Sequence, residues 1–260
     1  MGCSSKSITF DTSLEGRFTA VNVILEAMGN ACRPTNSNSS RFGRVVELGY
    51  AADCYIEDMS VESYLLEIVR VHKQQPQERN FHIFYELAAG ASDKFKEECS
   101  IESLADFHYA NQGGVFERHD KVSDKEMFNE FVDALNSLQV TQHDQEDFFK
   151  CLAGLLHMGN VSFGVDTSGK VVFTDTTQNN HHLDCVCRLL STNKEDFQKA
   201  LSTSAMQSSK MLTEGVALEM PANVAAAVTA RNHLAKTVYQ LLVNWILKHY
   251  KTLRVSESGE

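Results

Sequence analysis

Apolar residues recur every three or four positions along most of this chain, which is the spacing of one helix face. In residues 17–30 this spacing predicts an amphipathic helix that ends near Gly29. Over about 222–250 it predicts a long last helix with one apolar face. Further helices are predicted at about 79–90, 93–99, 124–138 and 144–158, followed by two short helices within about 181–202.

Strand-like runs lie between these helices. Residues 42–50 are predicted to form a strand, and 54–70 a mixture of strand and short helix. Residues 31–41 are predicted to be a loop, because Pro34 prevents the first helix from continuing. A hairpin is predicted at roughly 160–175. The pattern therefore predicts an α/β fold that is mainly helical with a few strands.

The chain is expected to form one unit after a short polar start. No repeat and no proline- or glycine-rich linker divides residues 17–260. Residues 1–16 are polar and rich in serine, and we expect them to be poorly ordered.

Composition excludes several classes of partner. The 260 residues are 43% hydrophobic, enough for a core of ordinary size. A net charge of −10 argues against nucleic acid, which requires a basic surface, and disfavours adsorption to anionic membranes through bulk charge. No run of apolar residues approaches the ~18 of a membrane-spanning helix.

The seven cysteines are scattered and odd in number, which favours reduced thiols in a cytosolic protein over a disulfide framework. The run His181-His182-Leu183-Asp184-Cys185-Val186-Cys187 is the one candidate metal site. The alternative is a core helix, because its apolar residues and Cys187 recur at helical spacing. We favour the core interpretation for both cysteines, and we expect His82 and His157 to pack or to form hydrogen bonds rather than to bind a ligand.

The first residues resemble doubly acylated N-termini. Gly2 could carry myristate and Cys3 palmitate, and two acyl chains together would anchor a protein stably to a membrane. The pattern for myristoylation has serine or threonine at position 6, whereas this chain has Lys6.

Residues 36–44, Asn-Ser-Asn-Ser-Ser-Arg-Phe-Gly-Arg, concentrate polar chemistry in one short stretch. Hydroxyl groups can bind Mg²⁺ or a phosphate, and an arginine can pair with a phosphate or a carboxylate. On composition alone, the same residues also fit a polar surface loop.

The order of these residues resembles switch I of the myosin motor head, N-x-N-S-S-R-F-G-K, with Arg44 in place of the final lysine. Other motifs of that family follow in the same order, from about residue 18 to about residue 253. They lie at residues 24–31, 63–67, 78–87, 109–114, 155–161 and 230–236. In the fourth of these motifs, residues 109–114, Gly113 replaces the serine of the family's N-Q-S-G motif.

The resemblance implies a role for each residue of the stretch. Asn36 and Asn38 are expected among the residues that contact the nucleotide, and Ser40 is expected to bind the Mg²⁺ of Mg-ATP. Ser39 is expected to hold the γ-phosphate and the attacking water. Arg41 is expected to pair with a glutamate of switch II, a partner that this sequence does not contain.

Two motifs of a complete head do not occur in the 260 residues: the P-loop G-E-S-G-A-G-K-T and switch II, D-x-x-G-F-E. The resemblance therefore implies a partial myosin motor domain over residues 17–260, mainly the upper wall of the actin-binding cleft. We expect no ATPase activity from these residues alone. The loop at 213–220 is shorter than in the family and lacks its arginines, which puts binding to the actin filament in doubt.

Two functions remain open. The first is a fragment of a cytoplasmic, cytoskeletal motor that works with the rest of a motor head. The alternative is a free-standing, non-catalytic myosin-like interaction protein, anchored to a membrane through Gly2 and Cys3.

A second stretch resembles a phosphate-binding motif, but we do not expect it to bind phosphate. Residues 164–170 fit G-x-x-x-x-G-K, but Val171 follows where a P-loop has a hydroxyl residue. Strand-like runs precede and follow the motif, whereas a P-loop must open a helix. We therefore predict a hairpin turn at this position.

Overall fold

A computed structural model describes residues 13–52, 54, 56–209 and 223–257. The predicted fold class is confirmed, because helices dominate and strands occur only as short pairs. The helices are α1 (Leu14–Gly29), α2 (His82–Gly90), α3 (Asp93–Glu98), α4 (His108–Asn111), α5 (Asp124–Ser137), α6 (Gln142–Asn160), α7 (Thr177–Leu189), α8 (Lys194–Ser209) and α9 (Val224–Glu257). The antiparallel strand pairs are β1 (Asn30–Arg33) with β2 (Asn36–Ser40), β3 (Gly43–Tyr50) with β4 (Ile56–Tyr64), and β5 (Phe163–Val165) with β6 (Val171–Phe173).

Hydroxyl residues set where several helices begin. The Ser13 side chain accepts a hydrogen bond from the backbone N–H of Gly16 at 3.1 Å, so α1 begins at Leu14, three residues before the prediction. Thr176 caps α7 in the same way, and that helix begins at Thr177. Such caps satisfy backbone donors that have no partner within the helix.

Tyr239 joins the first and last described helices, α1 and α9, behind β1. The Tyr239 ring of α9 stacks on Phe81 with ring centroids 5.1 Å apart. Its hydroxyl donates a hydrogen bond to the carbonyl O of Met28 at 2.8 Å. Because Met28 lies near the end of α1 and Phe81 immediately precedes α2, this contact fixes the base from which β1 starts.

The prediction of a loop at 31–41 was wrong. These residues form a β-hairpin, in which Ala31 pairs with Ser39 and Arg33 with Asn36, while Pro34 and Thr35 make the turn. Ala31 also forms a bridge to Phe81. Long-range pairing therefore makes a strand of a polar sequence with little strand propensity of its own.

The predicted hairpin at 160–175 is confirmed as β5 and β6. The carboxylate of Asp166 accepts hydrogen bonds from the backbone N–H groups of Ser168 at 2.8 Å and Lys170 at 2.9 Å. Gly169 takes the left-handed conformation that the turn requires, with φ of +84°. The motif closes a turn between two strands and opens no helix, as predicted.

Two predictions concern residues outside this description. The acylation sites Gly2 and Cys3 and the shortened loop at 213–220 lie there, so both remain predictions. Among the described helices, none is both long enough and apolar enough to span a membrane.

Candidate functional site

Strand β2 divides the predicted site residues between its two faces. Asn30 lies opposite Ser40, and Ala31 lies opposite Ser39, in the β1–β2 register. Since successive side chains of a strand point to opposite faces, Asn38 and Ser40 share a face with Asn30, while Ser39 lies on the other. The site residues thus form two groups.

On the first face, Asn38 is fixed by buried partners. Its amide oxygen accepts a hydrogen bond from Nδ2 of Asn30 at 3.0 Å, and Nε2 of His82 lies 3.1 Å from the same oxygen. The oxygen can only accept, so Nε2 of His82 donates. Burial lowers the pKa of His82 to about 2, which keeps its ring neutral. The amide oxygen of Asn38 is therefore occupied within the protein.

Two polar groups on or near this face remain accessible. Asn36 is exposed, and its side-chain oxygen accepts the backbone N–H of Asn38 at 2.9 Å. Ser40 is also exposed, and within the described part of the chain its hydroxyl has no hydrogen-bond partner. Oxygen ligands are those that Mg²⁺ prefers, so the Ser40 hydroxyl is available for the role that the resemblance implies.

On the second face, Arg41 has a carboxylate partner that the sequence analysis did not assign. Its Nε donates a hydrogen bond to Oε2 of Glu67 at 2.7 Å, and its Nη1 lies 3.4 Å from Oγ of Ser39. The resemblance assigns Arg41 to a glutamate of switch II, which the 260 residues do not contain, and in this structure Arg41 pairs with Glu67 instead. Accepting this hydrogen bond, Glu67 raises the pKa of Arg41. The backbone also ties the two residues together, since the N–H of Glu67 donates to the carbonyl O of Arg41 at 2.8 Å.

The Arg41–Glu67 pair is one end of a longer line of charges. Arg70 Nε donates to Glu67 at 2.8 Å, and Arg70 Nη1 donates to Glu78 at 2.9 Å. Arg33 of β1 completes the line by donating to Glu78 at 2.8 Å. We call these five residues the charge row. Arg41 and Glu67 at one end and Arg33 at the other are partly exposed, whereas the Arg70–Glu78 pair between them is buried.

The charge row shifts the pKa values of its acids. Burial opposes the ionisation of Glu67, but hydrogen bonds from Arg41 and Arg70 hold its pKa below the ordinary value. In Glu78, burial is likewise outweighed by hydrogen bonds from Arg70 and Arg33, and its pKa is lowered. Both carboxylates are therefore ionised at neutral pH, as ion pairing requires.

Other motifs of the resemblance meet inside the fold, away from β2. Arg231 donates to the carbonyl oxygens of Gly159 at 2.9 Å and Val161 at 2.7 Å. The Tyr109 hydroxyl donates to the side-chain oxygen of Asn232 at 2.7 Å. These residues connect α4, α6 and α9, so their role in this structure is to hold the helices together.

Sequence reasoning missed the supporting residues of the site. Glu67 and Glu78 lie within the motifs at 63–67 and 78–87, which were used to recognise the family but were given no role. His82, in the second motif, was expected to pack or to form hydrogen bonds, but its partner Asn38 was not foreseen. Asn30 lies within the motif at 24–31 and was likewise given no role, whereas Arg70 lies outside all the motifs. The available signal was a charged or polar residue inside an otherwise apolar motif, which predicts a buried partner.

Comparison with known proteins shows the class to which this chain belongs. The profile of the family described as Myosin head (motor domain) matches residues 3–258. Myosin-1 of Emericella nidulans is 34% identical over 228 residues, which are 88% of this chain and 18% of that protein. Myosin-2 of Saccharomyces cerevisiae is 33% identical over 239 residues, 92% of this chain and 14% of that protein.

A vertebrate relative gives the same result. Unconventional myosin-Vb of Rattus norvegicus is 34% identical over 247 residues, which are 95% of this chain and 13% of that protein. The chain therefore belongs to the myosin head family. It spans less than a fifth of the length of the relatives named here.

Proposed function

We propose that residues 17–260 are the switch I-bearing part of an actin-based motor driven by Mg-ATP. The observation that carries the proposal is the contrast within β2: Asn38 is held by hydrogen bonds from Asn30 and His82, while the exposed Ser40 hydroxyl has no hydrogen-bond partner among the described residues. A rigidly held strand that presents an unpaired hydroxyl is what positioning a metal-bound phosphate requires.

The proposed roles follow the two faces of β2. Ser40 binds Mg²⁺ on one face, where Asn36 and Asn38 contribute to nucleotide binding. On the other face, Ser39 holds the γ-phosphate and the attacking water, and Arg41 pairs with an incoming carboxylate when the site closes. For both serines to reach one nucleotide, the nucleotide must lie along the free edge of β2 or the strand must change its conformation.

Catalysis needs groups beyond these. Phosphoryl transfer depends on positioning and on neutralising the phosphate charge, which a P-loop lysine and its neighbouring hydroxyl provide in this class of enzyme. Neither that motif nor switch II occurs in the 260 residues. We therefore propose that residues 1–260 alone do not hydrolyse ATP, and that hydrolysis requires these two elements to be supplied from outside this segment.

The surface of β3 and β4 supports a larger assembly. These strands pair only with each other in the described residues, and they expose large apolar side chains, including Leu48 at 42%, Val45 at 44% and Tyr50 at 61%. Exposed apolar patches with unpaired strand edges are normally covered. We propose that the rest of a motor head covers them, and that the complete protein acts on actin filaments in the cytoskeleton.

The first test is the intact mass of the endogenous protein, captured with an antibody against residues 94–130. A polypeptide much larger than the 29.0 kDa of this chain supports the motor. A polypeptide of 29.0 kDa, with or without the mass of acyl chains, contradicts it and favours the free-standing interaction protein.

The second test uses the captured full-length protein in an actin-activated ATPase assay. We expect Ser40→Ala and Arg41→Ala each to lower kcat at least ~100-fold, because each removes a group that acts in the transition state. Ser168→Ala, a hydroxyl change in the β5–β6 turn, is the matched control and should leave kcat unchanged. Equal rates in all three variants would show that β2 is not the nucleotide site.

A further inference from the structure

Three side chains with metal-binding atoms converge where α6 passes α7. His157 lies on α6, and His181 and Cys185 lie one turn apart on α7. One ligand atom from each residue lies within 4.8 Å of the other two, and Nε2 of His181 is 3.8 Å from Sγ of Cys185. In a tetrahedral zinc site such atoms are about 3.5 Å apart. Small side-chain shifts therefore suffice to bring all three onto one ion.

His157 already has the orientation of a metal ligand. Its Nε2 lies 2.8 Å from the carbonyl O of Cys99, so Nε2 carries the ring proton and Nδ1 has the free electron pair. Histidines that bind metals usually donate their second ring N–H to a carbonyl or carboxylate in this way, which fixes the ring. The side chain is fully buried, so its orientation does not depend on solvent.

At present, His182 donates to that electron pair. Nδ1 of His182 lies 2.9 Å from Nδ1 of His157, and Nε2 of His182 lies 3.2 Å from Nδ2 of Asn160. Because the Asn160 amide donates to Nε2, the proton of His182 is on Nδ1. A metal at His157 replaces this single hydrogen bond, and His182 then turns away or becomes a further ligand.

Cys185 lies beside a fixed positive charge. Nη2 of Arg188 is 3.7 Å from Sγ of Cys185, while Nη1 of the same guanidinium donates to the carbonyl O of Glu98 at 2.6 Å. Cysteine binds metals as the thiolate, and the guanidinium places a hydrogen-bond donor beside the sulfur. On metal binding the thiol releases one proton to solvent.

The cluster is open to solvent on one side. His181 and His182 line a cavity of about 700 Å³, whose wall also includes Lys96 and four acidic residues, Asp93, Glu97, Glu102 and Asp106. An acidic wall raises the local concentration of cations, and the cavity gives water access to the exposed His181.

We propose that His157, His181 and Cys185 bind Zn²⁺, with a water molecule from the cavity in the fourth position. Two imidazoles and a thiolate favour Zn²⁺, whereas Mg²⁺ and Ca²⁺ prefer oxygen ligands. The helical spacing of the 181–187 run favoured a core role for its cysteines. The structure adds His157, a residue from another helix that the sequence could not place there. The site is independent of the proposed motor function.

Cobalt absorption tests this proposal directly. The metal-free protein is titrated with Co²⁺, and binding of one ion per chain is read from the thiolate-to-cobalt charge-transfer band. We expect Zn²⁺ to displace the cobalt and abolish the band. Cys185→Ser should remove the band, and His181→Gln should weaken Co²⁺ binding at least ~10-fold.

The controls lie on the same two helices. Cys187→Ser changes a thiol two residues further along α7, and His143→Gln changes an exposed histidine at the start of α6; both should bind Co²⁺ like the parent protein. His181 is exposed, so its replacement leaves the core intact even if Cys185→Ser disturbs folding. The proposal is overturned if the parent protein shows no charge-transfer band. It is also overturned if the band survives in Cys185→Ser or is lost in Cys187→Ser.

Discussion

Two hairpins of this protein carry sequences that resemble phosphate-binding motifs, and the surroundings of the two hairpins differ. At β1–β2, polar side chains reach partners far along the chain: Asn38 contacts the buried His82, and Arg41, just after β2, contacts the partly exposed Glu67. In β5–β6, the polar groups of the turn contact one another, as Asp166 does with Ser168 and Lys170. The first motif is connected to the core through polar contacts, and the second is a closed turn.

The contacts of the polar side chains distinguish a candidate binding site from a turn that merely has a similar sequence. Local hydrogen bonds stabilise a turn but position nothing for a ligand. A polar strand tied to buried groups has a fixed geometry, because buried polar groups must keep their partners. If this distinction is correct, changes beneath β1–β2 should be costly, and equivalent changes in β5–β6 should be mild.

The largest effect is expected from Gly113→Ser, although it restores the residue usual in the family. A Cβ at Gly113 would lie 1.8 Å from the carbonyl O of Glu78, so the backbone beside the charge row must move. We expect the free energy of unfolding to fall by ~3 kcal/mol or more. Urea denaturation measures it, with Gly164→Ala in β5 as control, where the nearest atom to a new Cβ is 3.6 Å away. Similar small losses in both variants would contradict the comparison.

The next effect is the pH dependence of stability that arises from two buried residues of α2, His82 and Glu86. Burial raises the pKa of Glu86 from 4.5 to about 8 and lowers that of His82 from 6.5 to about 2. The Glu86 contribution to stability is thus complete below about pH 4.5 and is lost as the pH rises toward 8. The His82 contribution is complete above about pH 6.5 and is lost as the pH falls. The two titrations oppose each other in the parent protein.

Single variants should separate them. From about pH 7.5 to about pH 5, Glu86 adds about 3 kcal/mol of stability and His82 removes about 2 kcal/mol. Relative to the parent, Glu86→Gln should therefore lose stability on acidification, and His82→Gln should gain it. Urea denaturation at both pH values gives these differences, and parallel pH profiles for all three proteins would contradict the assignment.

A somewhat smaller loss is expected from Glu78→Gln, which removes the inner carboxylate of the charge row. Arg70 is buried but keeps Glu67 as a second partner, so the cost should be about 2 kcal/mol rather than the ~3–5 kcal/mol of a fully stranded buried charge. Thermal and urea denaturation measure it. Adding Glu67→Gln should cost more than the sum of the single changes, and simple additivity would argue against a connected row.

The smallest effect is expected from Asp166→Ala in the β5–β6 turn. The carboxylate is at the surface and bonds only within its own turn, so the free energy of unfolding should fall by less than ~1 kcal/mol. The same urea titration measures this change. A loss as large as that of Glu78→Gln would remove the contrast between the two hairpins.

Periodicity and turn chemistry were sufficient for much of the fold. Helices α5 and α6 lie where their apolar spacing predicts, and the β5–β6 hairpin follows from the Asp-Thr-Ser-Gly turn between two apolar runs. The β1–β2 hairpin could not be predicted, because its Asn and Ser residues have low strand propensity and its pairing depends on the bridge from Ala31 to Phe81.

The sequence was enough to predict which residues form the candidate site, but it did not predict how their side chains are arranged. The order of residues 36–44 identified the stretch, but no local signal shows that Ser39 and Ser40 point to opposite faces of a strand. Glu67 lies 26 residues from Arg41 in sequence, and His82 lies 44 from Asn38. Such pairs become neighbours only through tertiary packing, which a single sequence does not encode in any local pattern.

The number of charges in the row has a consequence for motion. Arg33, Arg70 and Arg41 alternate with Glu78 and Glu67, so three cations share two anions and the row ends in an arginine at each side. If Arg41 departs, the four residues that remain are electrically balanced and each still has an opposite charge beside it. An odd, alternating series can therefore release its terminal member without leaving a bare charge inside the protein, whereas the loss of either glutamate would leave the arginine at that end without its partner in the row.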